Sequence, residues 1–312
     1  MSRTTALWLL VVMVFAITLV FTPDSRAQVG NFANLDVPGA QLMRISDVNN
    51  FGVMVGRYDD QAGTHGFTFA NGSFTTIDYP GAGATAAVGV NDFGDVVGRL
   101  TTNGVDHGFL LSHGAFLQID FPGALSTQCH GINRQGQIVG RYMSLENPAN
   151  GKGMGLAHEH GFLLDDGHFS SIDFPDADTT DAWKVTDAGD VVGDWSENGS
   201  LQSGSLHGYI LHAGEFRSID LPDVLGTAPR KVNLAGQLIG IYLNDKKLPG
   251  SATSATMVDH AFVLSGGVQY LFDFPGATFT NGNALNDSGL VVGSYIDVSG
   301  REHGYSALIS HE

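Results

Sequence analysis

One cysteine, Cys129, stands among 312 residues, so no internal disulfide can form. Positive charge is also scarce. Lys and Arg number 15 against 32 Asp and Glu, giving a formal charge of −17. A nucleic-acid grip needs clustered cations, and so does an anionic membrane surface; both are excluded as partners. The sequence contains no Walker loop, no G-x-S-x-G elbow, no H-E-x-x-H pair and no EF-hand loop. It has no G-X-Y period and no 3.6-residue periodicity, which excludes collagen and helical solenoids. With 43% hydrophobic residues it is not disordered. What it has in excess is glycine, 42 residues, roughly twice the usual share.

The N-terminus reads as a secretory signal. Arg3 supplies the positive region, Ala6–Phe21 is an apolar run, and Ser25-Arg26-Ala27 has the small-x-small form of a cleavage site. Residues 1–27 are expected to be removed, leaving residues 28–312 as one domain. The competing reading, an uncleaved anchor, has a run short of the roughly 20 residues of a span, followed by helix-breaking Pro23. The expected location is extracellular or periplasmic. Cleavage leaves 13 Lys and Arg against 31 Asp and Glu, a net charge of −18. With no disulfide, such a domain must be held by its core.

Six repeats follow. Asp-x-Pro begins at Asp36, Asp78, Asp120, Asp173, Asp220 and Asp273. Each unit then has a turn ending in Gly, such as Asn91–Gly94 (Thr186–Gly189 in unit four), then an apolar pair and another Gly. Next comes a His opening His-Gly-aromatic or His-Ala-aromatic, at His65, His107, His160, His207, His260 and His303. A second turn leads into the next Asp. Asn-x-x-Gly between apolar runs is a hairpin signal, because both residues tolerate positive φ. Each unit thus reads as four short strands, typified by Cys129–Ile132, Gln137–Tyr142, His160–Leu164 and His168–Ile172. Four strands per roughly 47 residues is the period of a propeller blade. The sixth unit stops after its third strand, whereas Gly30–Asp36 matches the fourth-strand sequence Gly167–Asp173. The expected fold is a six-bladed all-β propeller whose N-terminal strand completes the last blade and closes the ring.

Ile119–Ala124, Ile132–Gly140 and His160–Leu164 together state a phrase that resembles the HAF repeat of extracellular bacterial proteins, and His260-Ala261-Phe262 is its literal triplet. The resemblance covers the whole chain after residue 27. It implies secretion and a bacterial source and carries no activity with it. Thr186 departs from the turn Asn, and Asp176 and Asp223 from the Gly after Pro.

The repeat Asp and the repeat His fall on one face, called the top, and are expected to pair structurally rather than to hold a metal. In a six-fold ring their His residues are too far apart to share one ion. Function is sought where units differ. The linkers Met143–Glu159, Ser196–Leu206 and Leu243–Asp259 are long and on the top face. On the innermost strands, three residues before the turn position, stand Ser46, Val88, His130, Trp183, Arg230 and Asn283; one residue later come Asp47, Gly89, Gly131, Lys184, Lys231 and Ala284. Lys184, Arg230 and Lys231, with Trp183 and His130, are the candidate ligand-binding residues. They suit an acidic or sugar-like ligand, cations for a carboxylate and an aromatic for a ring face. The competing reading is that these cations neutralise carboxylates such as Asp181. Arg57, Arg99 and Arg141 are expected to pair with the repeat Asp residues. Cys129 is expected to be a buried small hydrophobe, and His158 with His160 a weak metal pair at most.

The expected function is non-catalytic binding of a glycan, peptide, surface polymer or small anionic ligand by a secreted monomer, with no catalytic residue, no metal and no assigned cofactor. The alternative is an extracellular hydrolase or lyase with its site at the channel mouth, for which His130, Asp47 and Asp181 are the titratable candidates.

Overall fold

The computed structural model describes residues 27–145, 157–197, 206–244 and 258–311. Nearly all of the expected signal segment, and much of the three long top linkers, lie outside the described residues. Among the described residues all regular structure is strand, and no helix is long and apolar enough to cross a membrane.

The twenty-four strands of the described residues, four to each repeat unit when the N-terminal strand is counted with unit six, form two four-stranded sheets and two eight-stranded ones, each of the latter joining two units through one parallel bridge. Unit one contributes Leu42–Val48, Met54–Asp59, Thr64–Ala70 and Ser73–Ile77, antiparallel neighbours in chain order. Units two to five repeat this pattern, with innermost strands Ala84–Val90, Ser126–Ile132, Thr179–Val185 and Gly226–Val232. Unit six supplies Phe279–Leu285, Leu290–Ile296 and Glu302–His311. Its fourth strand is Ala27–Leu35, from the other end of the chain, antiparallel to Glu302–His311. That strand is longer than the sequence match and slips register between Gly30 and Ala33.

The core lies between neighbouring sheets. The aromatic residue after each repeat His (Phe67, Phe109, Phe162, Tyr209, Tyr305, and Phe262 in the His-Ala-Phe unit) is fully buried. Its ring packs closely against the glycine that ends the apolar pair. A Cβ on Gly56 would come within 2.0 Å of the Arg44 carbonyl and 2.8 Å of the Phe67 ring. Only glycine permits that approach.

The turn asparagines do more than turn. Asn49 accepts the N–H groups of Phe51 and Val53 through Oδ1. Its Nδ2 donates to the Asn91 carbonyl of the next unit at 2.9 Å. Asn91 donates likewise to Asn133, Asn133 to Thr186, Asn233 to Asn286, and Asn286 to Asn49. Thr186 lacks an amide, so the relay is missing between units four and five. Thr186→Asn should complete it and raise stability by about 0.5–1.5 kcal/mol, one net hydrogen bond. Chemical denaturation of the two proteins measures this, and an unchanged midpoint would contradict it.

Candidate functional site

Each innermost strand carries one β-bulge, and the extra residue is the one that the sequence picked out. Register shifts fall at Ile45/Asp47, Ala87/Gly89, Cys129/Gly131, Ala182/Lys184, Pro229/Lys231 and Gly282/Ala284. The bulged residues are therefore Ser46, Val88, His130, Trp183, Arg230 and Asn283. Bulges re-aim side chains, and all six line a single cavity of about 690 Å³. Strand alternation alone would have sent Trp183 and Lys184 to opposite faces; the bulge lets both line this cavity.

Of the two lysines, Lys184 lines this cavity and Lys231 does not. Lys184 reaches Asp47 Oδ2 at 3.1 Å and the carbonyls of Val88 and His130 at 2.9 and 2.6 Å. It thereby touches units one, two and three from unit four. Lys231 bonds Asp47 Oδ1 at 2.8 Å and the Val48 carbonyl at 2.6 Å. Asp47 also accepts the backbone N–H groups of Val48 and Val90. Burial opposes its charge, but the two lysines hold its carboxyl below the usual range. Burial pushes Lys184 down to about 8. Lys231 lines a second pocket instead, among the asparagine turns. Both ammonium groups are engaged by Asp47 and by backbone carbonyls.

Above them the remaining candidates stack. The His130 ring lies on Trp183 at 4.4 Å and 12°, and the Arg230 guanidinium lies 3.8 Å from the Trp183 ring centre. Two neighbours this close cannot share one face, so both faces of the indole are covered. Trp183 Nε1 and Arg230 both donate to Asp194, at 2.6 and 2.8 Å. His130 Nδ1 sits 3.0 Å from Asp181, outside hydrogen-bond geometry, and burial lowers its pKa. Opposed by burial, His130 and Arg141 nonetheless hold Asp181 low. Burial, reinforced by Asp181, raises Glu159 to about 7. Burial raises Asp194 to about 6, again with Asp181 adding to the shift.

Six of the chain's fifteen basic residues line this cavity: Arg44, Arg57, Arg99, Arg141, Lys184 and Arg230. The expectation that Arg57, Arg99 and Arg141 pair with the repeat Asp residues is corrected, because those carboxylates are taken by the repeat His residues. All six His–Asp pairs form, at 2.6–3.2 Å, with His303 reaching Asp36 at the start of the chain. Arg99 pairs instead with Asp106 at 3.1 Å, and Arg141 with Glu159 at 2.8 Å. Arg44, which the sequence reading passed over, pairs with Glu302 at 2.8 Å. The signal was available: acidic residues immediately precede the repeat His in units two, three, five and six.

Cys129 is fully buried, packs against Gly108, and has its thiol pKa pushed up by burial. His158 and His160 are buried as well, with His160 held by Asp173 and Ser144. The described residues contain no group of three or more His, Cys, Asp or Glu placed to hold a metal.

The chain matches no protein-family model and no curated protein. Solved structures do resemble it. A protein of unknown function from Dyadobacter fermentans superposes with a TM-score of 0.55 at 9% identity, covering 93% of this chain and 100% of its own. A protein from Agrobacterium tumefaciens assigned as a TolB superposes with a TM-score of 0.56 at 12% identity, covering 92% and 99%. At such identities the likeness establishes the fold, a β-propeller scaffold, and nothing about activity.

Proposed function

We propose that the chain is a secreted six-bladed β-propeller of the HAF-repeat type, closed by its N-terminal strand, that binds an anionic or polyhydroxylated ligand in the top cavity without catalysis. Ring closure is supported by bonds from unit six to unit one: Asn283 Nδ2 to the Ile45 carbonyl at 2.7 Å and Asn286 Nδ2 to the Asn49 carbonyl at 3.0 Å. The observation that carries the binding reading is the concentration of guanidinium groups in one cavity of a chain with a charge of −17. Four of the cavity's five arginines have carboxylate partners in the chain; the fifth, Arg57, has none in contact among the described residues, and a desolvated cation so placed favours an anionic guest. Calorimetric titration of the chain beginning at Gln28 with acidic and neutral oligosaccharides tests this. Acidic ligands should bind, and more weakly as salt rises, because exposed charge pairs are screened. Preference for the neutral ligands would overturn the anionic reading and leave the polyhydroxylated one; binding of neither class would overturn both.

A pH dependence follows. Well below pH 6 Glu159 and Asp194 are both protonated; well above pH 7 both are charged. Raising the pH from 5 to 8 thus charges both carboxylates and begins to neutralise Lys184, at about 8, so every change makes the cavity more negative. Anion affinity should fall by roughly tenfold over that range. Glu159→Gln should flatten the upper part of the profile.

The same two carboxylates favour the second reading, a hydrolase or lyase. A carboxylic acid still protonated near neutral pH can act as a general acid. Release of new reducing ends from an acidic polysaccharide, abolished by Asp194→Asn with binding retained, would establish turnover.

A further inference from the structure

The repeat supplies its own control for one charged residue. One level above the bulges, each unit presents a cross-strand pair: Arg44 opposite Arg57, Ala86 opposite Arg99, Gln128 opposite Arg141, Asp181 opposite Asp194, Ala228 opposite Ile241 and Asn281 opposite Ser294. In units two and three the arginine is neutralised by the acidic residue just before the repeat His: Asp106 for Arg99 and Glu159 for Arg141. In unit six that position is Glu302, which serves Arg44. In unit one it is Thr64, which has no charge to offer.

Arg57 is left over. Among the described residues it has no hydrogen bond and no ion pair. It stands opposite Arg44 and near Arg99; burial and these two cations lower its pKa, opposed in part by the Asp59 and Glu302 carboxylates, neither of which touches it. Like charges directly opposite on neighbouring strands destabilise a sheet, and a desolvated cation with no carboxylate in contact is costly. The opposite case shows the usual remedy. The acidic pair Asp181 and Asp194 has His130, Arg141, Trp183 and Arg230 around it. Besides Asp181 Oδ1, two acceptors in the same cavity lack donors. Asn281 Oδ1 is buried with no hydrogen-bond partner, and the Asp259 carboxylate, raised in pKa by burial, has no ion pair among the described residues. What enters must therefore bring one oxyanion and separate hydrogen-bond donors.

Building on the cavity reading above, we propose that the ligand is an acidic saccharide whose carboxylate or sulfate group is taken by Arg57, flanked by Arg44 and Arg99, while its hydroxyls donate to Asn281 and Asp259. The guanidinium fork matches either oxyanion through paired N–H bonds. The cations of units four and five, already engaged by Asp47 and Asp194, hold the cavity's shape.

Two variants and four probes test this in the chain beginning at Gln28. Arg57→Gln removes the unpaired cation. Thr64→Asp gives it the counter-ion that Asp106 and Glu159 provide in units two and three. Trigalacturonate carries the carboxylate, a sulfated galactose disaccharide the sulfate, galactotriose neither, and triglutamate the peptide alternative. Without ligand, Arg57→Gln should melt higher than the wild type, since an unfavourable charge has been removed; Thr64→Asp, whose new carboxylate also stands opposite Asp59, is read by binding alone. Both should bind the preferred acidic sugar at least tenfold more weakly, with galactotriose unaffected. The stronger of the two acidic sugars identifies the oxyanion. A lower melting temperature in Arg57→Gln, or acidic-sugar binding unchanged by that substitution, overturns the assignment of Arg57 while leaving the cavity reading intact. Tighter binding of triglutamate than of either sugar overturns the saccharide class. No binding of any acidic probe by the wild type overturns the cavity reading and this assignment together.

Discussion

Asp47→Ala should cost more stability than any other single polar substitution in the protein. The carboxylate is 2% exposed and is the counter-ion of two ammonium groups, Lys184 and Lys231. Removing one partner of a buried pair costs about 3–5 kcal/mol, because the other charge is left stranded. Here two charges are left, and with total stabilities of about 5–15 kcal/mol the variant should lie at the edge of folding. Asp47→Asn should behave almost as badly, since the shape stays and the charge goes. Combining Asp47→Leu with Lys184→Met and Lys231→Met should recover much of the loss, because apolar replacement of a whole buried ion cluster is often neutral. Urea denaturation monitored by tryptophan fluorescence measures all three. An Asp47→Ala midpoint within experimental error of the wild type would mean that the lysines do not depend on it.

The second large effect is expected on removing residues 27–35. This strand pairs along Glu302–His311, and Phe32 packs against Phe272, Phe274 and Tyr305 with ring centres 5.5–6.2 Å apart. Val29 and Phe32 lie on one core cluster and Leu35 on another. Each such side chain is worth roughly 1.5–3 kcal/mol of burial. The deletion also bares the long edge of Glu302–His311, which invites aggregation. A fall in the melting temperature of more than about 10 °C is expected, with recovery when a peptide of residues 27–36 is added. A truncated protein that melts like the full one would contradict the shared last sheet.

The parts legible in the sequence were those fixed by repetition. Strand number, the His–Asp pairs and the terminal strand match could be read because six copies exposed the same local chemistry: a turn residue, a β-run, a small residue under an aromatic. The bulges were not legible, since nothing in Gly-Ile-Asn or Lys-Val-Thr announces an extra residue, and the cavity that the bulged residues line together is a property of packed neighbours. The lateral donor role of Asn49 and its equivalents was hidden behind their role in the turn, which explains the residue equally well. The charge pairing was misjudged for a similar reason. Arg99 and Arg141 have acids two nearby positions could supply, and only the register of the second and third strands decides between the repeat Asp and the residue before the repeat His. That register also isolates Arg57, through Thr64.

The most direct measurement is anomalous diffraction from crystals of the chain beginning at Gln28 soaked in selenate, an oxyanion whose selenium can be located without bias. One site is predicted in the top cavity, within hydrogen-bonding distance of the Arg57 guanidinium and between Arg44 and Arg99, with Lys184 and Lys231 still on Asp47. Selenate bound instead at Arg230 or the lysines, or an Arg57 side chain found paired to a carboxylate with no selenium beside it, would contradict the account.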